Sequence, residues 1–123
     1  MNPIDFTNCR RVMGKAYNGA NGKKIAIEYA GDIYMLKFPP AAGKRPTELS
    51  YTNSCFSEHI ASTIFRMLGI SAQETLLGTF QIGEKTKIVC ACKDFTADGK
   101  ILYDFCSIKN TVIDSEHGGT GTE

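Results

Sequence analysis

Three groups of residues in this chain could together bind a phosphate group. They are a glycine-containing loop at 17–24 (YNGANGKK), a lysine at position 37 in the apolar run YMLKFPP, and a glutamate at position 58. A lysine between apolar neighbours has two ordinary explanations: its stem lies along a sheet edge and its ammonium group reaches water, or the ammonium group faces a negative charge. The residues around Lys37 leave both explanations open.

The segments that carry the lysine and the glutamate have clear local signals. Residues 24–29 and 33–39 have strand character and are joined by the short turn Ala30-Gly31-Asp32. Apolar residues recur at helical spacing over 55–68, after the suitable N-cap residues Asn53 and Ser54. Gly69 is expected to end this helix.

A second hairpin is predicted after the helix, with strands near 73–82 and 86–93 and a turn at Gly83-Glu84. The order of hairpin, helix and hairpin, without an internal repeat, predicts an α+β domain: an antiparallel sheet with one helix packed on it. The expected core between sheet and helix consists of Ile25, Ile27, Met35 or Leu36, Ile60, Ile64, Leu68, Leu76 and Val89.

Composition indicates one globular domain without a broad charged surface. The chain has 123 residues, 42% of them hydrophobic, and a formal net charge of +1, which gives no argument for nucleic-acid or membrane partners. The first residues lack the apolar segment of a signal peptide. We therefore predict a cytoplasmic protein, with secretion or delivery into a host cell left open.

The cysteines and histidines give no complete metal-binding pattern. Cys90 and Cys92 would face the same side of a strand, but no second cysteine pair accompanies them, and His59 and His117 are far apart in sequence. We interpret the five cysteines as small apolar residues in a reducing compartment and predict no metal site.

In their order and spacing, the loop, the lysine and the glutamate match the N-terminal lobe of a protein kinase. The segments GANGKK, YMLKFP, SEHIASTIFRMLGISAQETLLGTF and KIVCACKDF resemble the HipA-like serine/threonine protein kinases, especially their compact CtkA-type branch. The resemblance covers roughly residues 17–95. It implies a protein-kinase-like N-lobe over residues 1–113 and a flexible tail at 114–123 that would lead to a missing C-lobe.

The resemblance also implies ATP as the ligand and assigns the residues around it. Lys37 would bind the phosphates, and Glu58 would hold Lys37 in place. The loop departs from the usual G-x-G-x-x-G and has asparagine where glutamine is usual. The remaining implied nucleotide contacts are Gly19, Ala20, Asn21, Gly22 and Lys23 in the loop, and Lys93, Asp94 and Phe95 at the adenine.

The catalytic half of a kinase has no counterpart in this sequence. No H-R-D-like segment is present, and Asp94-Phe95 is followed by Thr96, so it does not form the magnesium-binding D-F-G. We therefore expect this chain alone to be inactive, with Mg²⁺ and a protein substrate bound only by a full-length form. The alternative is a stand-alone module that partners or inhibits a separate catalytic chain.

Overall fold

The computed structural model describes residues 3–15, 17, 23–39, 53–103, 106, 108–111 and 113. The predicted loop residues Gly19, Ala20, Asn21 and Gly22 lie outside the described residues, as does the predicted tail at 114–123.

The described residues form one six-stranded sheet with a helix packed on it. The elements are β1 (Ile4–Asp5), β2 (Arg10–Arg11), β3 (Lys24–Tyr29), β4 (Asp32–Lys37), α1 (Ser54–Met67), β5 (Thr75–Ile82), β6 (Lys85–Lys93) and a 3₁₀ helix (Phe95–Asp98). The strands lie in the order β1-β5-β6-β4-β3-β2, and every neighbouring pair is antiparallel except β1 and β5. The predicted α+β class is confirmed, but the sheet is mixed because the short, unpredicted β1 pairs in parallel with β5.

Local turn chemistry explains the turn of the first hairpin and the C-terminal end of the helix. Ala30 and Gly31 both have positive φ, 51° and 83°, as a two-residue type I′ turn requires. At the end of α1, Gly69 has a φ of 77°, and the N–H of Ile70 donates to the carbonyl of Phe65 at 2.9 Å. This left-handed residue ends the helix at the predicted place.

The main core lies on the sheet face that points away from α1. A smaller apolar cluster lies between α1 and the sheet and consists of Cys55, Cys90 and Cys92, with Met35 and Leu77 packed beside it. The sheet curls so that Phe6, which follows β1, meets Tyr29 of β3 edge to face at 5.3 Å between ring centroids. The predicted core residues Ile27, Leu36 and Val89 are fully buried. The complete set of buried residues in this core is Phe6, Ile27, Tyr34, Leu36, Phe38, Phe80, Val89 and Ala91, with Ile25 and Leu76 partly buried beside it.

The prediction that apolar residues of the helix enter this core is wrong. Ile60, Ile64 and Leu68 are 54%, 50% and 69% exposed. The side of α1 that faces the sheet is mostly polar: His59 Nδ1 lies 2.8 Å from Thr75 Oγ1, and the Ser62 hydroxyl donates to the Gln73 carbonyl. Thr75 of β5 and Gln73, just before that strand, present hydrogen-bonding groups there, so the polar side of the helix is the side that matches them.

Within the described residues, no helix has the length and apolar character needed to cross a bilayer.

Candidate functional site

The predicted ion pair between Lys37 and Glu58 is present. Lys37 is the last residue of β4, and Glu58 is the fifth residue of α1. The distance from Lys37 Nζ to Glu58 Oε1 is 2.5 Å. Cys55, one turn earlier on α1, is buried and its thiol donates to the Lys37 carbonyl at 3.4 Å, which ties the start of the helix to the end of the strand. The lysine therefore faces a carboxylate on the helix.

The surroundings of Lys37 keep its side chain protonated. Partial burial lowers the pKa of Lys37, but the hydrogen bond to Glu58 and nearby negative charge outweigh burial, so the pKa lies above its usual value. Both side chains are about one-third exposed, at 30% and 31%. The charged ammonium group of Lys37 is thus accessible to solvent or to a ligand.

A second polar cluster surrounds Asp94, the first residue after β6. Its carboxylate accepts hydrogen bonds from Lys15 Nζ at 2.7 Å, Tyr17 Oη at 3.0 Å and the Thr96 backbone N–H at 2.9 Å. Its own N–H donates to the Ile33 carbonyl at 2.9 Å. Asp94, in the predicted adenine-contacting segment, therefore binds residues just before and at the start of the predicted phosphate loop.

The pKa of Asp94 reflects these contacts. Burial raises the pKa of the carboxyl, but the hydrogen bonds from Lys15, Thr96 and Tyr17 more than compensate and lower it to about 2. The side chain is 3% exposed, so solvent screens these interactions little. The carboxylate is charged and fully paired at neutral pH.

We predict that Asp94→Asn removes an acid-dependent part of the stability. A carboxyl with a pKa lowered from 3.8 to about 2 stabilises the fold above pH 4, and this contribution disappears as the pH falls towards 2. It amounts to about 2 kcal/mol. In urea unfolding, the stability difference between wild type and Asp94→Asn should shrink over that range. The exposed Asp98→Asn serves as control, and a difference that is constant with pH would contradict the prediction.

A cavity of about 270 Å³ lies beside Asp94. This volume is close to the lower end of the range for small-molecule sites, about 300 Å³. Asp94 and Phe95 line it, whereas the side chain of Lys93 forms ion pairs with Glu74 and Asp32 at 3.3 and 3.5 Å. The full lining is Lys15, Tyr17, Met35, Gln73, Asp94, Phe95, Thr96 and Leu102.

Several residues that line the cavity were not predicted as site residues from the sequence. Lys15 lies just before the glycine-containing loop, Tyr17 is its first residue, and Met35 lies two residues before Lys37, so position next to a predicted site residue was an available signal. Leu102 had no such signal. Lys23, predicted to contact the nucleotide, is exposed, with its Nζ 5.5 Å from the centre of the Phe38 ring.

Two thiols adjoin the ion pair on the helix side of the sheet. Cys90 and Cys92 are 0% exposed, with their sulfur atoms 3.9 Å apart, and Cys92 Sγ lies 3.4 Å from Glu58 Oε1. The prediction that both face the same side of a strand is confirmed.

Comparison with known proteins connects this arrangement to protein kinases. The chain is 50% identical over 122 residues, 99% of its length, to the serine/threonine-protein kinase CtkA of Helicobacter pylori, and the match covers 36% of that protein. The resemblance to CtkA-type kinases is confirmed. The crystal structure of the H. pylori proinflammatory kinase CtkA matches 93% of this chain and 35% of its own, with a TM-score of 0.76 and 48% identity.

The relationship to CtkA extends over sequence and fold together. The α+β architecture, with its curled sheet and one main helix, is that of the matching part of CtkA. No family model matches the chain. Because the chain spans about a third of the length of CtkA, the similarity relates it to part of a serine/threonine kinase.

Proposed function

We propose that this chain is the ATP-binding N-terminal lobe of a HipA-like serine/threonine protein kinase related to CtkA. The observation that carries the proposal is the distance of 2.5 Å between Lys37 Nζ and Glu58 Oε1. In protein kinases a strand lysine binds the nucleotide phosphates and must be paired with a glutamate of the neighbouring helix. Lys37 and Glu58 have these positions on β4 and α1.

The cavity beside Asp94 is the proposed binding site of the adenine base. Met35, Phe95 and Leu102 provide apolar walls, and Asp94 lines the cavity beside Phe95. Met35 and Lys37 are on the same face of β4, two residues and therefore about 7 Å apart along the strand. A base in the cavity would thus have its phosphates within reach of Lys37. We propose the loop residues at 19–23 as further nucleotide contacts.

We assign Mg²⁺ binding and catalysis of phosphoryl transfer to a full-length form of the protein. In kinases the magnesium ligands and the aspartate that accepts the proton of the substrate hydroxyl come from the C-terminal lobe. Mg²⁺ and the serine or threonine hydroxyl of a protein substrate would therefore be bound only in a full-length form. The five free cysteines suit a reducing compartment, and we propose a cytoplasmic site of action.

Calorimetric titration of this chain with ATP tests the proposal. We expect weak binding, with a dissociation constant of about 1 mM, because the lobe supplies only one side of the adenine cleft. Added Mg²⁺ should strengthen binding little, and radiolabelled ATP should transfer no phosphate to a serine-containing acceptor. Absence of any heat of binding at 10 mM ATP, a concentration chosen at about ten times that constant, would contradict the proposal.

One observation favours the alternative of an interaction module. The outer side of α1 and the segment after the 3₁₀ helix expose apolar residues that a partner surface would cover, among them Ile60, Ile64, Met67, Leu68, Ile101 and Leu102. Such a module would bind a purified catalytic chain of a CtkA-type kinase and would have no affinity for ATP. The same titration therefore separates the two functions.

A further inference from the structure

The carboxylate that pairs with Lys37 also belongs to a cluster of potential metal ligands. Glu58 Oε1 and the sulfur atoms of Cys90 and Cys92 all lie within 4.8 Å of one another. Cys90 and Cys92 are adjacent on the same face of β6, and α1 places Glu58 above them. These three residues are the one such group among the residues that the structure describes.

The distances in this cluster suit a tetrahedral zinc site. Zinc binds thiolate sulfur at about 2.3 Å and carboxylate oxygen at about 2.0 Å, so tetrahedral angles separate two sulfur ligands by about 3.8 Å, and a sulfur from an oxygen by about 3.5 Å. The corresponding distances here are 3.9 Å between the two sulfurs and 3.4 Å from Cys92 Sγ to Glu58 Oε1. Two of the three separations therefore already fit a tetrahedral site, and the third, from Cys90 Sγ to Glu58, is at most 4.8 Å.

We propose that Glu58, Cys90 and Cys92 form a binding site for a thiophilic divalent cation, with Zn²⁺ as the best fit. Two sulfur ligands and one oxygen favour zinc over magnesium or calcium, which prefer oxygen alone. Glu58 is about one-third exposed, so the ion can enter beside it, and water would complete the tetrahedron. On binding, both thiols release their protons to solvent, and Zn²⁺ keeps its charge of +2.

The site already attracts a cation. The ammonium group of Lys37 lies 2.5 Å from the same oxygen, Oε1, that would bind zinc. A metal ion would therefore compete with Lys37 for Glu58. Metal binding would leave Lys37 without its positioning partner, and that consequence rests on the proposed function. The proposal of metal binding itself does not depend on the proposed function.

Cobalt substitution tests the metal site without nucleotide. The reduced chain, titrated with Co²⁺, should show the near-ultraviolet charge-transfer band of a cobalt thiolate and the visible bands of tetrahedral Co²⁺, and Zn²⁺ should abolish both. Cys90→Ser and Cys92→Ser should each lose most of the charge-transfer intensity. Cys106→Ser, at an exposed position outside the cluster, should retain it. A folded wild-type chain without these bands would overturn the proposal.

A variant of the third ligand, Glu58, tests the site even if the two buried serine variants do not fold. Glu58→Gln leaves both thiols in place and changes a partly exposed side chain, and circular dichroism verifies that the helix persists. Its affinity for Co²⁺ should fall at least tenfold because an amide oxygen is a poorer ligand than a carboxylate. Unchanged affinity in Glu58→Gln, or bands that persist in folded Cys92→Ser, would show that the ion binds elsewhere. Because no ATP is used, failure of ATP binding leaves this result intact.

Discussion

Replacing Lys37 with methionine should weaken ATP binding by this chain at least tenfold. Methionine keeps the length and apolar stem of the side chain but removes the ammonium group, the charged partner for the phosphates. A hydrogen bond to a charged group contributes about 1.5–3 kcal/mol, and about 1.4 kcal/mol corresponds to a factor of ten in affinity. Calorimetry at millimolar ATP, or the ATP-induced chemical-shift changes of the amide groups, measures the loss.

The control for this variant is Lys85→Met, which removes the same charge at the exposed hairpin end between β5 and β6. Its ATP affinity should equal that of the wild type, and both variants should retain the wild-type circular dichroism spectrum. If Lys37→Met bound ATP as the wild type does, Lys37 would not be a phosphate ligand, and the assignment of this chain as a nucleotide-binding lobe would lose its main support.

Leu36→Ala should lower the free energy of unfolding by about 2–5 kcal/mol. Leu36, the second-to-last residue of β4, is 0% exposed and packs in the main core. Truncation removes buried apolar surface and leaves a cavity that closely packed neighbours fill only in part. Urea unfolding, monitored by circular dichroism, gives the change in free energy.

Leu68→Ala is the matched comparison, because it deletes the same atoms at a position that is 69% exposed. Its effect on the unfolding free energy should stay within about 0.5 kcal/mol. Equal losses in the two variants would contradict the placement of the core, since they would mean that the apolar side of α1 is buried.

Much of the local structure could be predicted from the sequence. The turn at Ala30-Gly31, the helix and its end at Gly69 follow from residues that are neighbours in the chain, because turn and cap preferences act over a few residues. The pairing of Lys37 with Glu58 was predictable from their order in the chain together with the resemblance to kinases. Their separation of 21 residues alone would not have indicated contact.

The tertiary structure decided which side of each element is buried and which distant residues meet. Helical periodicity located α1, but hydrogen-bonding partners on β4, on β5 and just before β5 determined that Glu58, His59 and Ser62 turn towards the sheet. Lys15 and Asp94, 79 residues apart, meet only because the sheet brings the chain segment before β3 beside the end of β6. Local preferences extend over a few residues. Contacts between distant residues depend on how the complete sheet curls and on which buried polar groups need hydrogen-bond partners.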